Sequence, residues 1–233
     1  MSEKRIGFLD TWRAAALLAM IAWHFINNLT LVHIIPPPFL RTPLVELLRY
    51  AIVGSFIAIS GVCARLSKRP LRRGLVVFGA ALLVSAATYL FGAPVYWGIL
   101  HLLGACMLLY AAVRKRWEAL PGTYACGAAL LVFVLTFALP IRVRVGAPFL
   151  FPLGLRTAAF ASADYYPLLP WGALFFAAAA AAERLDEMPP EKKYRSAPRA
   201  LAWLSRRSLF IYLIHQPVLF ALAALLQHAA QGT

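Results

Sequence analysis

Acidic side chains are scarce: nine Asp and Glu stand against twenty-three Lys and Arg in 233 residues. So few carboxylates leave no acidic relay running through several apolar segments, as many proton-coupled carriers have. Cysteine is scarcer still. Cys63, Cys106 and Cys126 all lie in apolar runs without CxxC or CxxH spacing, which excludes a recognisable zinc or redox motif and assigns them to buried packing. Charged residues of both signs make up only 14% of the chain, against 62% hydrophobic residues and a mean hydropathy of +0.73. That balance excludes a soluble domain of this length. The last apolar segment has no lysine, which excludes a retinal-type Schiff base. No internal repeat is visible, and no small-x-small cleavage site clearly follows the first apolar stretch, which reads as a retained first helix and not a signal peptide.

What is present is a series of apolar segments. Seven are long enough, or nearly so, to span a bilayer: residues 7 to 29, 45 to 65, 74 to 92, 97 to 113, 121 to 140, 165 to 184 and 205 to 227. They predict an all-α polytopic transmembrane bundle forming one domain over residues 1 to 233. The net charge of +14 excludes nucleic-acid binding by its placement, because the basic residues sit in short clusters between apolar runs, as topology signals and lipid headgroup contacts. Lys4 and Arg5, then Arg65, Lys68, Arg69, Arg72 and Arg73, then Arg114 to Arg116, then Arg184, Lys192, Lys193, Arg195 and Arg199 mark one side, with Arg206 and Arg207 opening the last helix. The other side carries only Arg41, Arg49, Arg142, Arg144 and Arg156. By the positive-inside rule the N-terminus is cytoplasmic and the C-terminus outside.

Within the first segment stand Asp10, Arg13 and His24. Ionisable groups at membrane depth are costly and mark function by default. Arg13 and His24 are eleven residues apart, about three turns plus roughly 20°, so they share a helix face at depths roughly 16 Å apart. Asp10, three residues before Arg13, is placed to pair with it. The first outer loop holds Asn27, Asn28, His33 and the run Pro36-Pro37-Pro38, and Ser60-Gly61 provides small residues for close packing.

Later segments add polar groups at their ends. Trp97-Gly98-Ile99-Leu100-His101 opens the fourth, and Asp164-Tyr165-Tyr166-Pro167-Leu168-Leu169-Pro170-Trp171 opens the sixth, where two prolines would free backbone carbonyls or break the helix. Asp164 either orients a histidine or caps the sixth helix. In the seventh, Ser208, Tyr212 and His215 form one polar stripe at i, i+4 and i+7. Pro217 beside it predicts a bend.

Taken in order, the Asp-x-x-Arg start, the Arg-x10-His spacing, Gly98-Ile99-Leu100-His101, Asp164-Tyr165-Tyr166-Pro167 with Pro170-Trp171, and Ser208-Leu209-x-Ile211-Tyr212-x-Ile214-His215-Gln216-Pro217 resemble the heparan-alpha-glucosaminide N-acetyltransferase family, in its short bacterial form. The Arg-x10-His element also resembles the wider membrane acyltransferase-3 superfamily. The resemblance implies that acetyl-CoA enters from the cytoplasm and that its acetyl group passes to an acceptor across the membrane. Arg13 would then hold the CoA end, with Asp10, His101, Tyr212 and His215 as further candidate acetyl-CoA contacts. His24 would be the general base, oriented by Asp164. The lysosomal enzymes carry an extra luminal domain and more helices, place asparagine where His24 stands, and keep their catalytic histidine in the first luminal loop. His33 is the nearest equivalent of that histidine, after a gap of two residues. Direct transfer and an acetyl-histidine intermediate are both open.

The acceptor is a glycan, another amine or hydroxyl, or a lipid headgroup, and a homodimer is compatible with the chain. Two other classes compete: a small-solute transporter or flippase using the polar path, and a haem protein with His24, His101 and His215 as axial ligands.

Overall fold

A computed structural model describes residues 5–231, apart from the side chains of Arg41, Ala230 and Gln231. Lys4, of the expected N-terminal basic pair, lies outside that range. The described residues form ten α-helices: α1 (Gly7–Leu31), α2 (Pro43–Leu66), α3 (Pro70–Leu90), α4 (Ile99–Glu118), α5 (Gly122–Thr136), α6 (Leu139–Arg142), α7 (Leu168–Ala181), α8 (Pro190–Lys193), α9 (Arg199–Arg206) and α10 (Ser208–Gln231). Among them there is no strand, only two isolated bridges, Trp97 to Tyr165 and Arg144 to Arg156. Among the described residues six stretches are long and apolar enough to cross a membrane: Gly7–Leu31, Pro43–Leu66, Pro70–Leu90, Gly122–Arg142, Leu168–Leu185 and Ser208–Ala229.

The fourth expected span, 97 to 113, is α4, which is not among these six. It is as long as its neighbours, but Arg114, Lys115 and Arg116 fall inside its last turns. The apolar part before Arg114 covers roughly 22 Å at about 1.5 Å per residue, short of a hydrocarbon core of about 30 Å. Two further boundaries move. Arg72 and Arg73 lie within α3, because Pro70 is acceptable in a first helical turn and starts the helix early. The last expected span, 205 to 227, is divided at Arg207, so Ser205 belongs to α9 and Ser208 opens α10.

The described residues divide into two compact units, 5 to 56 with 189 to 231, and 57 to 188. In the first, α1 packs against α9 and α10. The stretch from Phe8 to Ile35 contains neither Gly nor Pro, and Ala14, Ala16, Leu17 and Met20 are buried. α1 therefore runs unbroken past Asn27 and Asn28, which lie in the helix and not in the following loop. His33 ends it with a left-handed backbone, φ 60°, the conformation that commonly closes a helix. Gly7 lies so near the Arg195 carbonyl that an added Cβ would collide with it.

In the second unit, α4 packs on α3 and α7, and α5 on α7. Small residues make these approaches possible: a Cβ on Gly104 would stand 2.7 Å from the Phe78 backbone nitrogen, and one on Gly61 would strike the Phe175 carbonyl. Ser60-Gly61 does mark close packing, although α2 continues to Leu66. The alanines of α7, Ala177, Ala179 and Ala180, are buried beside Phe175. Arg114 donates to the carbonyls of Ser67 and Arg65 and pairs with Glu118 at 3.0 Å, fastening the turn between α2 and α3. Pro167 and Pro170 do not interrupt a span. Leu169 is non-helical (φ −105°, ψ 122°), so the regular part of α7 begins at Pro170. Cys106 is buried, Cys63 and Cys126 are partly exposed, and no disulfide joins them.

Candidate functional site

Two polar clusters lie along α1, near its start and in its second half. Near the start, the Asp10 carboxylate is 5% exposed. Arg5 donates to it twice, at 2.9 and 2.5 Å, and the Ser205 hydroxyl donates at 2.7 Å. Arg13 donates to the same Ser205 oxygen at 3.0 Å and stands 3.9 Å from the Asp10 carboxylate. Asp10 and Arg13 are thus brought together as expected, but Arg5 and Ser205 are the closer partners of the acid. A carboxylate sharing a buried site with two guanidiniums and a hydroxyl keeps its charge compensated and holds α9 against α1. Ser205 was missed because its stretch reads as the opening of one long helix, whereas the break at Arg207 turns it toward α1.

The second cluster joins α1 to α10. The His24 and His215 rings lie 4.9 Å apart between centroids, tilted by 58°. His215 Nδ1 donates to the Tyr212 carbonyl at 2.6 Å. That bond fixes the proton on Nδ1 and leaves Nε2 as the lone-pair nitrogen of the neutral ring. His215 is 7% exposed, and its Nε2 is buried with no hydrogen-bond partner among the described residues. Buried polar atoms are nearly always paired, so an open lone pair here stands out. One turn from His24, Asn28 is fully buried, and its side-chain amide lies 3.1 Å from that of Gln216. Asn28 and Gln216 were not singled out as site residues. The signal was present in the i, i+4 spacing of His24 and Asn28, which puts both on one face.

Tyr212 enters through its carbonyl, and its ring sits 5.3 Å from that of His215. Ser208, the third member of the expected stripe, is only partly buried. His33 is exposed on the turn that closes α1.

The remaining expected residues, His101 and Asp164, each accept from a backbone N–H at the N-terminus of α4, in the second unit. The Gly98 N–H donates to His101 Nδ1 at 3.3 Å, and Ile99 N–H to Asp164 Oδ2 at 3.1 Å. His101 Nε2 lies 3.1 Å from Ser85 Oγ, whose hydroxyl donates to the Val95 carbonyl. Since Nδ1 accepts, Nε2 carries the proton, and both nitrogens are used. Trp97 stacks on the same ring, with centroids 5.6 Å apart. Asp164 does cap a helix, but that helix is α4 and not α7. Two first-turn N–H groups that a helix leaves unsatisfied are thereby paired.

Each expected residue thus has a defined place, and three groups form within the two units: Asp10 with Arg13, His24 with Tyr212 and His215, and His101 with Asp164. Among the described residues no group of three or more His, Cys, Asp or Glu could hold a metal ion.

Neither a curated protein nor a solved structure matches the chain. A family model described as heparan-alpha-glucosaminide N-acetyltransferase, catalytic, matches residues 5–217. That range begins at Arg5, which holds Asp10, and ends at Pro217, just after the His215 cluster. It covers nearly the whole chain, which therefore belongs to the heparan-alpha-glucosaminide N-acetyltransferase catalytic family of membrane acetyltransferases.

Proposed function

We propose that the protein transfers an acetyl group from cytoplasmic acetyl-CoA to an amine or hydroxyl acceptor on the other side of the membrane, with His24 as general base. The observation that carries this reading is the division of labour along α1. A cationic cluster built on Arg13 and an imidazole pair built on His24 stand on one unbroken helix, about 16 Å apart along its axis. Acetyl-CoA has the matching shape, with anionic phosphates at one end, a thioester at the other and a thin pantetheine arm between. Arg13 would hold the phosphate end, a task suited to a guanidinium already oriented by Ser205.

At the thioester end, the acceptor N–H or O–H gives its proton to His24 as the nucleophile attacks the carbonyl carbon. The new C–N or C–O bond forms, the C–S bond breaks, and the departing thiolate takes the proton back from the imidazolium. His215 lies against the His24 ring, with centroids 4.9 Å apart, and would position that ring for the proton transfer. An acetyl-histidine intermediate is a variant of this scheme. A sugar amine, a glycan hydroxyl or a lipid headgroup would each serve as acceptor.

The test is acetyl-CoA binding to the detergent-purified protein by calorimetry, followed by turnover with an acceptor panel. Arg13→Ala should weaken binding at least tenfold. His24→Ala should abolish transfer while binding stays within about threefold. Undetectable binding of acetyl-CoA by the folded native protein, or full transfer by His24→Ala, refutes the assignment.

A further inference from the structure

The segment between α5 and α7 carries three arginines, Arg142, Arg144 and Arg156, and from residue 119 to residue 182 the sequence has one acid, Asp164. Asp164 accepts from Ile99 N–H at the start of α4. No carboxylate lies within ion-pair distance of Arg144 or Arg156 among the described residues. Yet the two guanidiniums converge. Arg144 Nη1 donates to the Pro140 carbonyl oxygen at 3.2 Å, and Arg156 Nε donates to the same oxygen at 2.9 Å. Their backbones are held side by side by the isolated bridge between them and by the Val145 N–H to Arg156 carbonyl bond at 3.1 Å. Tyr165 closes one flank, its ring 5.8 Å from the Arg156 guanidinium and its hydroxyl donating to the Phe151 carbonyl at 2.6 Å.

One arginine is enough to satisfy a carbonyl at the end of a four-residue helix. A second like charge at the same oxygen is repelled by the first, and among the described residues no carboxylate stands within ion-pair distance to offset that repulsion. Each guanidinium presents five donors. Arg156 spends one on Pro140, while Arg144 directs Nη1 to the Pro140 and Val143 carbonyls. The remaining N–H groups have no protein acceptor among the described residues, and guanidinium N–H groups bind planar or tetrahedral oxyanions through parallel bonds.

We propose that Arg144 and Arg156 form an oxyanion site, taking the phosphate, sulfate or carboxylate group of a ligand that reaches the loop between α6 and α7. The site stands apart from the acyl-transfer residues in sequence and in its unit, and it would exist whether or not the chain transfers acetyl groups. The oxyanion comes either from a soluble molecule or from an anionic lipid headgroup.

Thermal unfolding of the full chain tests it, with inorganic phosphate compared against sodium chloride at matched ionic strength. In phosphatidylcholine nanodiscs, phosphate should raise the midpoint by about 2–4 °C over chloride, as mass action predicts for a ligand of the native state alone. Arg144→Gln and Arg156→Gln should each lose most of that shift. Arg156→Lys, which keeps the charge but not the fork, should lose at least half. Arg142→Gln, which changes the local charge without touching the Pro140 carbonyl, should keep it. In phosphatidylglycerol nanodiscs, loss of the phosphate response identifies the lipid headgroup as the source, and persistence identifies a soluble oxyanion. A native protein that responds alike to phosphate and chloride overturns the site, as does a full shift in both Gln variants.

Discussion

His24 and His215 are separated by 191 positions in the chain and meet with their ring centroids 4.9 Å apart, one on α1 and one on α10. Two imidazoles this close do not readily carry two protons, because like charges at short range disfavour double protonation. In the proposed transfer the pair would serve as one proton-accepting unit, with the His215 ring fixed by the Tyr212 carbonyl. His215→Phe, which keeps the volume and removes the lone pair, should lower the transfer rate at least about a hundredfold, within the range typical of a lost acid–base group. Acetyl-CoA affinity should change by less than about threefold, since Arg13 lies three turns away. Parallel calorimetry and rate measurements separate the two effects.

His33 provides the decision between the two candidate bases. Its backbone is left-handed at φ 60°, a conformation that costs a side-chain-bearing residue roughly 1 kcal/mol and glycine very little. If His24 is the base, His33→Gly should stabilise the protein by up to about 1 kcal/mol in thermal unfolding and leave transfer intact. Loss of transfer in this variant, with stability raised, would move the chemistry from His24 to His33.

Asp164 and Gly98 form a tight contact at the start of α4. A Cβ on residue 98 would stand 2.6 Å from Asp164 Oδ2. Gly98→Ala should therefore push the carboxylate off the Ile99 N–H. Asp164→Ala should cost about 1 kcal/mol, the usual worth of a helix cap. Both losses should appear in unfolding curves, with acetyl-CoA affinity unchanged when binding is measured on the folded fraction.

Alkaline pH tests the packing of Tyr165. Burial pushes its hydroxyl up to about 12 from an ordinary value of 10.0, against the opposing pull of Arg156 and Arg144. The protonated phenol is the form the folded state favours. Its stabilisation is therefore complete below pH 10 and is lost as pH rises through 12. Tyr165→Phe, which cannot ionise, should flatten that part of the stability profile, read as midpoint temperature against pH from 9 to 12.

Much of the architecture was legible because helix formation across a membrane is a local matter. Length, hydropathy and the positions of Gly and Pro are properties of each segment alone, so the α1, α2, α3, α5 and α7 regions appeared within a few residues of their observed bounds. The same locality placed Arg13 and His24 on one helix, since helical phase follows from residue count. α4 was harder: its basic end lies inside the helix, and hydropathy does not say where a helix stops.

What only the tertiary structure decided is which helix faces which. The phase of His24 on α1 is fixed by counting, but its neighbour depends on how α10 packs, and that is why the His215 contact, the Asn28–Gln216 pair and the inward turn of Ser205 at the Arg207 break were not readable. Asp164 was recognised as an orienting or capping residue, yet the helix it caps lies 65 positions earlier in the chain. Arg144 and Arg156 looked like isolated loop charges until the bridge between them brought both to the Pro140 oxygen. Sequence determined the helices and the chemistry each one carries. Packing, which depends on shape at contacts far apart in the chain, chose the partners.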